Sequence, residues 1–149
     1  MDNFNESVMV ALLPTTSEWC KIDLPHLTIV YVGEIWELKP SIQNDLAKLA
    51  ISMAQVIPEL TLDVLAVDIL GDVDLVDVIL LRPIQDLLTL RSVFEEWDGS
   101  EHKKFLPHAT IGPAGSRPDK LPNTITFDRI VVSWGETYLT YNLQEETAL

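Results

Sequence analysis

The phrase PHLTIVYVG at residues 25–33 returns as PHATIGPAG at residues 107–115. Each runs proline, histidine, apolar, threonine, apolar, with a glycine soon after. Strand side chains alternate between two faces, so a histidine and a threonine two residues apart point the same way. The repeat therefore requires two strands of one pattern, each presenting an imidazole beside a hydroxyl. Of the three histidines in the chain, two are followed by apolar-Thr-apolar. At average residue usage that coincidence is on the order of a few per thousand.

Around the two phrases the pattern reads as alternating strands and helices. Residues 8–13 (VMVALL) form a short apolar run ended by Pro14, the mark of a buried strand. Residues 26–32 are β-branched and aromatic and stop at Gly33, which predicts a second strand. Ser41 is placed to cap a helix running to about Gln55, with Ile42, Leu46, Leu49, Ala50 and Met53 at helical spacing. Residues 61–69 and 73–81 read as a hairpin about Gly71 and Asp72. Residues 84–97 carry Ile84, Leu87, Leu88, Arg91, Phe94 and Glu95 at helical intervals, with Gly99 as a stop. Residues 106–111 form the second motif strand, which Pro107 confines to an edge or a strand start. Residues 124–134 and 136–143 close the chain as paired strands about Gly135, and residues 144–149 read as a loose tail. This order favours antiparallel pairing over repeated βαβ units, so the class is α+β in a single domain over residues 1–149.

The net charge of -13 argues against a duplex or a polyanionic membrane as partner, since such binding rests on clustered Lys and Arg. A small anion remains compatible if one pocket is locally basic. The single cysteine, Cys20, can form no disulfide within the chain, which fits a reducing compartment. MDNFNES lacks the basic start of a signal peptide, and no apolar stretch approaches the ~20 residues of a membrane span. The expectation is a soluble, cytoplasmic protein.

Two His-x-Thr pairs facing one another suit a phosphodiester. One imidazole deprotonates the attacking water or hydroxyl while the other protonates the leaving oxygen, and a pKa near 6.5 makes both forms available at neutral pH. The threonine hydroxyls donate to the non-bridging phosphate oxygens, where transition-state charge concentrates. The scheme calls for no metal and no cofactor. The aspartates 63, 68, 72, 74 and 77 do not match a calcium-loop spacing and read as a solvated hairpin face.

His26-Leu-Thr28-Ile and His108-Ala-Thr110-Ile resemble the paired motifs of the 2H phosphoesterase superfamily, which includes LigT-like RNA ligases, 2′,3′-cyclic phosphodiesterases and small phage enzymes that hydrolyse cyclic oligonucleotide signals. The separation of about eighty residues is also similar. The resemblance spans residues 8 to 143, and its specificity lies in the two tetrapeptides. It implies a bilobal α+β fold with one motif per lobe, two antiparallel sheets about a central cleft, flanking helices, and no metal requirement. It further implies that His26 and His108 are the acid–base pair, with His108 as base and His26 as acid in hydrolysis, and that Thr28 and Thr110 bind phosphate.

Residues 102–118 contain Lys103, Lys104 and Arg117 but no acid after Glu101, an island in a chain with 23 acidic residues. Lys104 and Arg117 are the candidates for a local positive field, Arg117 the better placed, in the loop after the second motif. His102 reads as a surface residue. Trp19, Trp134, Tyr138 and Tyr141 are candidates to stack on a base. Glu136 is a candidate acceptor from a base edge. Tyr31, three residues past Thr28, faces away from the motif on a regular strand and reads as core.

The expected activity is a phosphodiesterase acting on a small cyclic nucleotide, with a cyclic di- or trinucleotide messenger preferred and, by the resemblance, a phage counter-defence role. The alternatives are a 2′,3′-cyclic phosphodiesterase acting on RNA ends, a 2′–5′ RNA ligase, and a nucleotide-binding sponge without turnover. The oligomeric state is left open.

Overall fold

A computed structural model describes residues 6–22, 24–71, 73–99 and 105–144. The strands are β1 (Ser7–Pro14), β2 (Leu27–Glu34), β3 (Leu60–Leu70), β4 (Val76–Leu81), β5 (His108–Pro113), β6 (Thr124–Trp134) and β7 (Thr137–Asn142). The helices are α1 (Ser41–Ala54) and α2 (Gln85–Phe94), each an apolar stripe laid on the sheet. Every predicted element is present, and all strand pairs named below are antiparallel, so the α+β reading holds.

The boundaries moved where local chemistry overrides pattern. Pro40 takes the cap position of α1 and Ser41 opens its first turn, so no side chain caps that helix. Ile84 precedes α2, and the predicted last turn tightens to a 3-10 helix at Glu95–Trp97. β5 starts at His108, because Pro107 has no N–H for the ladder; its carbonyl instead accepts from the Leu81 N–H at 3.0 Å. Gln144, placed in the loose tail by pattern, is bonded on both sides. Its N–H donates to Ile57 O at 3.1 Å, and its carbonyl accepts from Glu59 N at 2.9 Å. Residues 145–149 lie outside the described residues.

The strands form one seven-stranded sheet of order β1-β2-β5-β4-β3-β6-β7, with β1 also paired to β6. The expectation of two separate sheets is therefore corrected. The reason is β6, whose start (Thr124 to Phe127) pairs with β3 while the rest pairs with β1 and β7. The other seam is narrow: β2 and β5 meet at Leu27↔Ala109. Both residues are fully buried, together with Ile29, Ile111, Phe94 and Phe127. Burying a side chain of leucine size stabilises by about 1.5–3 kcal/mol, so Leu27 anchors the first motif to the core, and the small Ala109 lets the second strand pack close against it. Past the Leu27↔Ala109 contact the two motif strands are no longer paired with each other, and a groove opens. Among the described residues no helix is long and apolar enough to cross a membrane.

Candidate active site

The Leu27↔Ala109 pairing fixes what faces what. In an antiparallel register, His26 falls opposite Thr110 and Thr28 opposite His108. All four flank core residues and lie on the other face, each half-buried. The two phrases thus form one cross-strand set.

Each imidazole is held in the same way. His26 Nδ1 lies 2.7 Å from Leu24 O, and His108 Nδ1 lies 2.7 Å from Leu106 O. In both cases the carbonyl belongs to the residue two before the histidine, with a proline between. A carbonyl only accepts, so Nδ1 carries the proton and Nε2 is the nitrogen that exchanges one. The repeat therefore extends one residue before each proline: Leu24-Pro25-His26 and Leu106-Pro107-His108 are the same tripeptide. Burial lowers the His26 pKa below its ordinary value; the bond to Leu24 opposes this, and the charge of His108 adds to it.

Thr28, Thr110 and His108 line an open groove of about 1530 Å³, while His26 stands at the strand crossing beside them. The Thr28 hydroxyl meets the Met9 sulfur at 4.0 Å, a weak acceptor that a phosphate oxygen readily replaces. The hairpin between β3 and β4 forms one rim, with Val73 90% exposed and Leu75 48%.

Tyr31 lines the groove as well, contrary to the core reading. Val10 pairs with Val30 and Ala11 with Thr28, so Ile29 is an extra, unpaired residue. Such a bulge shifts the alternation by one and turns Tyr31 to the side of Thr28. The Tyr31 hydroxyl donates to Glu34 Oε1 at 2.7 Å.

The other candidates fare differently. Trp19 is 5% exposed and packed in the core, so it is no free stacking surface. Trp134, Glu136 and Tyr138 sit at the far end of the sheet: Trp134 pairs with Val8, whereas the motif end of β1 is Ala11 and Leu12. The turn at Gly135, with φ of 60°, places the start of β7 at that distant end. None of the three lines the groove. Tyr141 packs against the core. His102, Lys103 and Lys104 lie outside the described residues.

Arg117 is half-exposed, and its Nε donates to Asp77 Oδ1 at 3.3 Å. Asp77 is only 1% exposed, which corrects its assignment to a solvated face; Asp63, Asp68 and Asp74 are exposed as predicted, and Asp72 lies outside the described residues. The other oxygen of Asp77 accepts from Gly115 N at 2.8 Å and Ser116 N at 2.9 Å. Desolvation raises the Asp77 pKa, but those N–H groups and Arg117 outweigh it and hold the carboxyl below its usual range. Asp77 therefore braces the loop after the second motif, and Arg117 is the counter-charge of a buried acid. Replacing Asp77 by Asn puts an amide NH2 where donors converge, and the melting temperature drops by several degrees. Because the folded pKa is depressed, the stabilisation is complete above the unfolded value of about 3.9 and is lost as pH falls through the folded pKa. Melting curves for both proteins should converge on acidification; a constant gap would contradict this role.

No family model matches the chain, and no curated protein matches it in sequence. Solved structures do. Escherichia coli LigT complexed with 3′-AMP aligns with a TM-score of 0.59 at 17% identity, over 93% of this chain and 98% of that one. The protein TT0787 of Thermus thermophilus aligns at 0.63 and 13% identity, over 95% of this chain and 100% of that one. Kluyveromyces marxianus Usb1 aligns at 0.62 and 8% identity, over 93% of this chain and 98% of that one. These likenesses show the fold, which is that of LigT and related 2H phosphoesterases.

Proposed function

We propose that this chain, with the fold of the 2H phosphoesterases as the premise, hydrolyses a phosphodiester bond of a small cyclic nucleotide through His26 and His108 without a metal in the chemical step. The observation that carries the reading is the matched pair of imidazoles, each locked through Nδ1 to the carbonyl two residues before it and each set opposite the other motif's threonine. Thr28 and Thr110 donate to the non-bridging oxygens. One Nε2 takes the proton of water as its oxygen forms the new P–O bond. The other Nε2–H protonates the departing ribose oxygen as the old P–O bond breaks. The lowered pKa of His26 keeps it neutral, the form a general base needs, so His26 takes the base role and His108 the acid role. That is the reverse of the direction the resemblance implied.

Within that class the reading favours a cyclic di- or trinucleotide. The groove of about 1530 Å³ exceeds the roughly 300–1,000 Å³ of ordinary small-molecule clefts. Its hairpin rim offers apolar surface for bases, and a net charge of -13 opposes long RNA. LigT has been solved with 3′-AMP, phosphate, NADP+ and ATP, a range of small nucleotide and phosphate ligands. Removal of a cyclic nucleotide signal would make this a counter-defence enzyme of the phage type. The second reading, a 2′,3′-cyclic phosphodiesterase or ligase acting on RNA ends, draws on the shared LigT and Usb1 fold.

The test is incubation of the protein with EDTA against 2′,3′-cyclic mononucleotides and cyclic di- and trinucleotides, with products read by mass spectrometry. Turnover of a cyclic di- or trinucleotide is expected. Cleavage of the mononucleotides alone would select the second reading. Intact ligand that co-elutes with the protein would make it a sponge.

A further inference from the structure

The bulge at Ile29 has a counterpart at the same place in the second motif. Asp77 pairs with Gly112 and Val78 with Thr110, so Ile111 is skipped as Ile29 is. In both motifs the residue after the threonine is the extra one. Each bulge lies where β2 and β5 have parted, so its carbonyl has no partner from the facing motif strand. Each finds a donor elsewhere. Ile111 O accepts from the Lys21 backbone N–H at 2.7 Å, and Ile29 O accepts from Arg91 Nη1 at 2.8 Å. The second motif is braced by backbone and the first by a side chain.

Arg91 is built for that task. It lies on the buried stripe of α2 and is only 9% exposed, although it is a full charge. Its Nη2 pairs with Asp98 Oδ2 at 2.7 Å, and its guanidinium lies over the Phe105 ring, 5.3 Å from the centroid. The carboxylate and the ring fix the plane of the fork, which leaves Nη1 aimed at the bulge. One guanidinium thus satisfies two acceptors on different elements.

We propose that Arg91 is a positioning residue for the first motif: it holds the Ile29 bulge open, and so keeps Thr28 and Tyr31 on one wall of the groove. This rests on the phosphodiesterase reading for its effect on rate, but its effect on the strand does not. A lysine carries its three donors on a single nitrogen and lacks the planar fork, whose two separate nitrogens reach Ile29 O and Asp98 at once.

The Arg91→Lys variant is expected to keep a cooperative thermal transition, to lose about tenfold or more in kcat, and to change KM by less, because the threonine donors act mainly on transition-state charge. In Arg91→Ala, added methylguanidinium should restore much of the lost kcat, whereas methylammonium should not. A crystal structure of Arg91→Lys supplies the readout that is independent of turnover. Loss of the Ile29 bulge, or a turn of Tyr31 away from the groove, supports the assignment. A bulge and Tyr31 left in place overturn it, as does a loss of stability with kcat unchanged. If the wild-type protein turns over none of the nucleotides, the phosphodiesterase reading fails, and the register of β2 in the variant still decides the role of Arg91.

Discussion

Alanine at His26 or His108 lowers kcat by about 10²- to 10⁴-fold, the usual contribution of a positioned general acid or base. The double variant falls little further than the worse single one, because the two groups complete a single proton inventory and neither works alone. The fold should survive, since both histidines are half-buried and each anchors to a carbonyl within its own tripeptide. The pH profile adds a sign. Burial and the neighbouring imidazole hold the His26 pKa below its ordinary value of about 6.5, so His26 stays unprotonated to a lower pH than a free imidazole does. The acid limb of kcat/KM in the wild type is expected below about 6.5, and it should vanish in His26→Ala and persist in His108→Ala. An acid limb that survives in His26→Ala would return the base role to His108. Full activity in either variant would remove the two-histidine mechanism.

Valine at Thr28 or Thr110 is the second large effect. The substitution keeps the volume and the strand preference and removes only the hydroxyl. Loss of one preorganised donor to a developing anion costs about 10²–10³ in kcat. KM should move less, since the substrate phosphate carries the smaller local charge. Serine should recover most of the rate at both positions, more so at Thr110. Thr28 also rests its hydroxyl near Met9, and loss of the methyl frees its rotamer. Equal changes in KM with kcat intact would instead make the threonines ground-state binders. Steady-state kinetics of the four variants decide the point.

Much of this site is legible because it is local. An imidazole and a hydroxyl two residues apart on a strand share a face whatever the rest of the chain does, and the leucine or alanine between them must then be core. The helices and strands follow from apolar spacing in the same way. Arg91 falls within the apolar stripe of the second helix by spacing, but its partners, Ile29 O and Asp98, come from other elements and only the fold brings them to it. The misplaced residues are those whose position depends on something distant. Tyr31 is reversed by one inserted residue whose existence shows only against β1. Trp19 sits in a loop by pattern and in the core by packing. Trp134, Glu136 and Tyr138 are polar or aromatic residues near a turn, and which end of the sheet that turn occupies is set by pairing with Val8.

Local pattern is enough to show two like extended segments, each setting a histidine beside a threonine, because side-chain alternation is a property of the backbone alone. Tertiary structure decided that these strands touch at Leu27 and Ala109 and part beyond, that each threonine falls opposite the other motif's histidine, and that a guanidinium stands in for the missing neighbour of Ile29. Register, bulges and the partners of buried polar groups arise from contacts between residues far apart in the chain, and no local pattern encodes them.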